Sequence, residues 1–512
     1  MITKNITVVI SMSKENLNEK IVSLCANRGI IFPSAEIYGG VAGFFDYGPV
    51  GVTLKNRIRS FWRSEFIIKM NSIYEIESSI ILPRIVWEAS GHLEGFTDVL
   101  VECKKCQTQY RADHLIQDTL KIATDGKSFE ELSEILIKNT IKCPNCKGEL
   151  ASTQKFNLMF KTHIGAAKQS VNEAFLRPET AQAMFIDFKR IQQTMRASLP
   201  FGIAQIGRSY RNEISPRNFL FRLREFEHLE IEFFVHPAGK DDLPDELWAK
   251  VKDLQVAILS IPQQEKEEEA KLMKASEILE QRIFSCKWLL YWTLISYDWL
   301  VRVGLDPSKL RLRQHMLNER AHYAADCWDI EFQYSFGWKE LQGIADRTDY
   351  DLKKHSKFSK KELNIHLTEE NIKVVPHVIE PSWGLERVIQ ALLESAYVEE
   401  KERTLFKFNS YIAPFQIAVF PLMKNREEIV ERSKEITTNL KQFNFQILYD
   451  EKSSIGRRYR RVDEIGVPFA VTIDFDTLED NTVTVRDRDS MEQERVPIKN
   501  LAEMFQKRLS FI

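Results

Sequence analysis

The chain runs to 512 residues, 44% hydrophobic and 28% charged, with a net charge of −2 and a pI near 6.6. That length predicts two or three domains, the composition excludes long disorder, and the near-neutral balance excludes capture of nucleic acid by bulk charge, leaving local basic patches for any such partner. No apolar run reaches the roughly 20 residues of a membrane span, and ITVVI near the start is too short for a secretory segment, so the expectation is a cytoplasmic protein without membrane contact.

Met1 to Ser11 shows no periodicity, which makes Met12 an alternative start. Residues 14–30 carry helical spacing (Leu17, Ile21, Leu24, Cys25) that stops at Gly29. The stretch GGVAGFFDYGPVG from Gly39 is a glycine-rich turn region and not a nucleotide loop, because no GK[ST] follows and no GxGxxG opens a helix. Val52–Met70 predicts an amphipathic helix, apolar along Leu54, Ile58, Phe61, Trp62, Phe66 and Ile67 and basic opposite. Glu75–Leu82 predicts a strand closed by Pro83; the two together form a packing unit or a dimer interface.

Four of the seven cysteines fall in two tight pairs, Cys103-Lys-Lys-Cys106 and Cys143-Pro-Asn-Cys146, separated by a spacer that includes the helical FEELSEILIKN. Each knuckle offers two thiolates from one turn, which suits a closed, structural zinc site; four free thiols are the alternative. Cys25, Cys286 and Cys327 stand alone in apolar surroundings and are expected in the core. Next, Arg177-Pro178-Glu179-Thr180 is predicted to open a helix, with Glu179 near its positive end.

Gly202–Tyr210 and Glu225–Phe234 predict a hairpin whose long basic tip holds Ser215-Pro216-Arg217-Asn218. A period of two divides its second arm into one face with Phe226, His228, Glu230, Glu232 and Phe234 and another with Glu225, Glu227, Leu229, Ile231 and Phe233. Arginines alternating with aromatics suit phosphate and a stacked base; a solvated edge hairpin is the plain alternative.

From Asp241 to Leu305 the pattern predicts helix throughout, with EKEEEAK at Glu265–Lys271 as a solvated helix face. Ile330–Trp338 predicts a strand, Asp346–His355 a polar helix and Val374–Ile379 a strand, after which the turn Pro381–Gly384 delivers a helix carrying Glu386 and Arg387. From Pro414 onward, strand–helix alternation predicts a separate α/β module of about 100 residues. Its helix Ile455–Ile465 carries Arg457, Arg458, Arg460 and Arg461 beside Tyr459, the densest basic patch on the chain.

In combination these strings resemble the homodimeric glycyl-tRNA synthetases of class IIa, from about Ala26 to the C-terminus. The helix and strand of 52–83 resemble motif 1, the hairpin of 202–234 with Arg211-Asn212-Glu213 resembles motif 2, and Gly384–Arg387 within 374–397 resembles motif 3. FFDYGPVG, LRPETAQ, FEHLE and EPSWG carry the glycyl assignment. The resemblance implies an α/β (α+β) fold: a mixed, mainly antiparallel sheet with flanking helices over 14–410, insertions at 101–153 (zinc knuckles) and 241–305 (helical), and an anticodon-binding domain over 411–512. It also implies ATP with Mg²⁺, glycine and tRNA(Gly) as substrates, with no DNA partner. Arg211, Glu213 and Arg387 become the catalytic set: Arg211 on the α-phosphate, Glu213 on the adenine amino group, and Phe226 with Arg387 enclosing the adenine. Arg222 falls at the γ-phosphate position and Glu340 at that of Mg²⁺; Asn212, Phe221, Leu223, Arg224, Glu225, Leu341, Gly384, Leu385 and Glu386 complete the ATP set. Glycine would be held by Arg111, Glu179, Glu230, Glu380 and Ser382, with Phe226, Glu227, His228, Leu229, Pro381, Trp383 and Gly384 around them. Trp383 departs from the family pattern, and Glu386 falls where it varies. The arginine helix would meet the anticodon stem. The alternatives are another class IIa synthetase (prolyl or threonyl) and a non-catalytic, synthetase-like nucleic-acid-binding subunit.

Overall fold

The alternation between Phe201 and Val235 makes a long antiparallel hairpin in the computed structural model, which describes residues 17–122, 124, 126–166, 172–321, 323–367 and 371–509. Met1 to Ser11 and the start at Met12 lie outside these residues. The hairpin belongs to a nine-stranded sheet of β1 (Ile73–Glu75), β2 (Phe201–Tyr210), β3 (Glu225–Val235), β4 (Gln255–Leu259), β5 (Lys271–Lys274), β6 (Leu310–Gln314), β7 (Asp326–Tyr334), β8 (Gly337–Thr348) and β9 (His377–Gly384). Their spatial order is β5-β4-β6-β7-β8-β9-β3-β2-β1. Only β1–β2 and β4–β6 pair in parallel, so the sheet is mixed and mainly antiparallel, the fold class that the sequence predicts.

The helices that matter below are α1 (Pro49–Arg63), α2 (Ala112–Leu120), α3 (Ala181–Thr194), α4 (Lys287–Val303), α5 (Tyr350–Ser359), α6 (Leu385–Ala396), α7 (Glu427–Lys441), α8 (Ile455–Glu464) and α9 (Leu501–Leu509). One face of the sheet packs α1, α4 and α6 into the main core, which takes Leu229, Ile231 and Phe233 of β3. Leu229 and Ile231 are fully buried, and each contributes about 1.5–3 kcal/mol to the fold. The opposite face is covered only at one end, where α3 and α5 bury Phe185, Phe188 and Leu352 against Phe201, Ile203 and Phe234. The uncovered remainder of that face is the cleft.

Helix α1 starts with Pro49 in its first turn, buries Leu54, Ile58, Phe61 and Trp62 at helical spacing, and passes into a π-helical turn at Ser64–Ile68. A Cβ on Gly51 would stand 1.9 Å from the Ile30 carbonyl oxygen, so the helix can approach that stretch of backbone only with glycine there.

Several predicted elements differ. The strand expected over Glu75–Leu82 is two short ones, Ile73–Glu75 and Ile81–Pro83, and the second pairs with Glu173–Leu176. The 241–305 segment is not helical throughout: β4 and β5 extend the main sheet, and of the expected helix face Glu265 ends a short helix (Ile261–Glu265), residues 266–270 form the connection and Lys271 opens β5. A short apolar run such as Gln255–Leu259 fits a buried helix segment as well as a strand, and β5 (Lys271–Lys274) follows directly on the charge run. Pro381–Gly384 lies inside β9 and is not a turn; α6 begins directly at Leu385.

The C-terminal part is a five-stranded sheet of β10 (Ile417–Pro421), β11 (Ile447–Tyr449), β12 (Phe469–Ile473), β13 (Thr482–Asp487) and β14 (Gln493–Pro497), ordered β11-β10-β12-β13-β14. Helices α7 and α9 bury Ile429, Ile436, Leu501 and Phe505 against it. Arg403 ties this sheet's α8 to the body, donating from Nη1 to Asp463 Oδ2 at 2.9 Å in a buried pair.

Candidate active site

The pleat of three adjacent strands builds the floor of the cleft. Gly343 and Ala345 of β8 stand opposite Ser382 and Glu380 of β9, and Ser382 stands opposite Glu230 of β3. Two small side chains in the middle of a sheet leave room above it, and acids rise around the gap. The cavity measures about 420 Å³.

The inner end is acidic and locked from below. Arg177 is buried and donates to the Arg208 carbonyl at 2.8 Å, Ser78 Oγ at 2.8 Å and Gln205 Oε1 at 2.9 Å. It fills the space beside Gly207, whose Cβ would meet Arg177 Nη2 at 2.2 Å. Thr180 donates its backbone N–H to Glu230 Oε2 at 3.0 Å, and its hydroxyl donates to the same oxygen. Glu179 accepts from Gln182 at 3.0 Å and lies 3.3 Å from His92 Nε2. Burial alone would raise Glu179, but His92 and Arg347 hold it well below the usual carboxylate range. Arg347, fully buried, forks onto Glu380 at 2.9 and 3.0 Å and onto Asp351 at 2.8 and 3.0 Å, with the Tyr323 ring 4.0 Å away. Burial raises Glu380, and Arg347, donating to both of its oxygens, pulls it back and holds it as a carboxylate. Burial lowers His228 to about 4, so the ring is neutral at pH 7; its Nδ1 lies 3.1 Å from Ser209 Oγ.

The outer end is lined by arginines and rings. Arg211 donates from Nε to the Pro178 carbonyl at 3.1 Å, and its guanidinium lies 5.3 Å from the rings of both Phe96 and Phe226. Arg222 lies 3.6 Å from Glu213. Arg387 stands 4.5 Å over the Phe221 ring and 3.1 Å from Glu340, whose carboxyl is lowered by Arg387 first and foremost. Of the two residues expected to enclose the adenine, Arg387 covers Phe221, and Phe226 faces Arg211. Arg111 enters from the base of α2, held by Asp98 at 2.7 Å and Asp113 at 2.6 Å.

The structure does not bring all the predicted residues together. Glu227 and Leu229 point through the sheet away from the cleft, since the pleat alternates: Leu229 is core, and Glu227 pairs with Lys55 at 3.3 Å and Arg59 at 2.8 Å. Trp383 is fully buried with its ring 4.9 Å from Phe66, and Leu341 and Leu385 are core as well. Asn212 is fixed by its backbone on the Leu158 carbonyl, Arg224 bonds the Glu213 and Ala42 carbonyls, and Glu225 pairs with Arg208. Pro381 sits in β9 between Glu380 and Ser382, while Leu223 and Gly384 line the cleft. Glu386 accepts from the Glu227 N–H at 2.7 Å and from Lys55 at 2.8 Å, which joins α6 to β3 and α1.

Arg347, Asp98, His92 and the pair His315–Asp329, 2.8 Å apart in the cleft lining, were missed. Arg347 had a signal: Gly343, Ala345 and Arg347 share one face of a strand, small residues ending in a cation.

Away from the cleft, the four Sγ atoms of Cys103, Cys106, Cys143 and Cys146 lie within 4.8 Å of one another, with Cys103–Cys146 at 3.5 Å and Cys106–Cys143 at 3.6 Å. Thiolates about 2.3 Å from a tetrahedral zinc stand roughly 3.8 Å apart, so the donor set fits that ion. The knuckles repeat one geometry: Gln107 N–H bonds the Cys103 carbonyl and Lys147 N–H the Cys143 carbonyl, both at 2.9 Å.

On α8 the arginines divide. Arg457 and Arg460 are exposed, but Arg458 is 2% exposed and donates to the carbonyls of Pro421 and Leu422, while Arg461 pairs with Asp450. Tyr459 bonds Thr472 at 2.6 Å and packs on Phe420. Arg458 and Tyr459 are therefore parts of the module's packing and not surface contacts, because the helix must bury one stripe against β10.

Residues 160–396 match the family model described as the tRNA synthetase class II core domain (G, H, P, S and T), and residues 416–508 match that of an anticodon binding domain. The glycine–tRNA ligase of Clostridium perfringens is 43% identical over 98% of this chain and 100% of its own length. That of Methanocaldococcus jannaschii is 41% identical over 97% and 100%, and that of Methanococcus vannielii 40% identical over 96% and 99%.

Proposed function

The chain belongs to the glycine–tRNA ligase family of class II synthetases, and from that premise we propose how its cleft divides the reaction. The glycine carboxylate attacks the α-phosphorus of ATP and pyrophosphate leaves. The 3′-terminal ribose hydroxyl of tRNA(Gly) then attacks the adenylate carbonyl, AMP leaves, and the hydroxyl proton passes to solvent. No protein nucleophile takes part; the chain's residues position the reactants and neutralise phosphate charge.

The acidic inner end carries this proposal. Glu179, Glu230 and Glu380 suit an ammonium group, and locked walls above a Gly343–Ala345 floor leave space for an amino acid without a Cβ. Arg211 and Arg222 serve the phosphates at the outer end, Glu213 the adenine amino group, and Phe226 the ring. Mg²⁺ held by Glu340 would neutralise phosphate charge; Arg387, now on Glu340, must then turn toward the adenine. Charging assays with purified tRNA(Gly) test the proposal: glycine should be esterified, and failure with zinc-replete, folded protein contradicts it.

Structural zinc on the four cysteines and a homodimer complete the proposal. The dimer is supported by exposed Ile68, Ile80, Ile81 and Ile85 around the motif 1 region. Arg457 and Arg460 would meet the tRNA. Among the described residues no helix is long and apolar enough to cross a membrane, and a cytoplasmic location is part of the same proposal.

A further inference from the structure

Beneath the acids that face the cleft lies one that does not. Glu232 is fully buried on β3, and neither of its carboxyl oxygens has a hydrogen-bond partner. One oxygen each from Glu230, Glu232 and Glu380 lie within 4.8 Å of one another. The nearby donors are committed elsewhere: Thr180 to Glu230, and the Arg347 fork to Glu380 and Asp351. The charged groups around Glu232 are Glu230 on its own strand, Glu380 on β9, Arg347 on β8 and Asp351 on α5; β2 sets the uncharged Ile203 opposite it. An ionised carboxylate without donors at such a place is strongly disfavoured, and a proton removes the charge. Burial first, and then the Glu380 charge, raise the Glu232 carboxyl far above its ordinary range, and Arg347 does not offset them.

We propose that Glu232 stands as a neutral carboxylic acid beneath the amino-group subsite and serves as a positioning residue, its O–H donating to the Glu230 or Glu380 carboxylate so that those two groups face the substrate's charge. The inference rests on the inner end being the glycine subsite. A protonated carboxyl is both donor and acceptor, so it can orient its neighbours, whereas a third charge would repel them.

Infrared spectra of the full-length, glycine-free protein at neutral pH, with and without ¹³C-glutamate, test the protonation directly. A carboxylic-acid C=O band that shifts with the label is expected in the wild type and should be lost in E232Q. In ATP–pyrophosphate exchange, E232L should raise KM for glycine about tenfold with KM for ATP unchanged, the loss of one hydrogen bond to a charged group. E232Q keeps a donor and should stay within about threefold of wild type. Absence of the wild-type band overturns the proposal even if neither variant folds. So does an E232Q as impaired as E230Q, or a stoichiometric cation, beyond zinc, that E232Q loses. If E230Q itself leaves KM for glycine unchanged, the glycine subsite fails while the band still decides the state of Glu232.

Discussion

The Arg211 side chain makes one hydrogen bond, to the Pro178 carbonyl, and lies beside the Phe96 and Phe226 rings at the mouth of the cleft, so Arg211→Ala should remove a transition-state contact and leave the fold intact. Exchange should fall about 10²–10³-fold with thermal unfolding unchanged, the scale seen for loss of one preorganised donor. His228 makes a different prediction, about stability. Its folded pKa, lowered by burial to about 4, lies below the ordinary value near 6.5, so the unfolded chain binds more protons between those values. Stability supplied by the neutral ring is complete above pH 6.5 and is lost as pH falls toward 4, by about 3 kcal/mol. Denaturant titrations should show that decline, and a His228→Asn variant should show a shallower one.

At the scale of elements, α8 separates two roles that its sequence merges. Arg457→Ala with Arg460→Ala should weaken tRNA binding, reduce the salt slope by about 1 to 2 and spare exchange. Arg458→Ala should instead destabilise the module, since it unsatisfies carbonyls at the end of β10; an unchanged melting point would contradict this. The division follows the helical stripe, which four arginines in five positions obscure. The hairpin was more legible. A period of two on β3 separated Phe226, His228 and Glu230 from Leu229, Ile231 and Phe233, and the structure keeps that division. Carrying whole strings into the site blurred it again, because Glu227 and Leu229 are neighbours in sequence and face opposite sides of the sheet. Arg347 went unread for the reverse reason: DRTDYD looks like a polar helix until β8 is seen to run to Thr348.

Over the whole molecule, the C-terminal module followed from strand–helix alternation, and the sheet class from the resemblance to class II synthetases. The order of strands did not, because β4 and β5 join an edge from within a charged segment. The knuckles should bring about one zinc per chain, measured by elemental analysis; removing it by chelation should lower the melting point of the 101–153 segment, which also presents Arg111 to the cleft. Placing a charge at Ile85, which is half exposed, should shift the sedimentation profile toward monomer. The central claim is that an acidic inner end above a floor of small residues selects glycine. Amino-acid-dependent ATP–pyrophosphate exchange tests it most directly, run on zinc-loaded protein with glycine, alanine, serine, proline and threonine. Glycine should support exchange and alanine should fall at least about a hundredfold below it, as a steric clash with fixed walls requires; equal exchange with alanine, or none with glycine, would contradict the account.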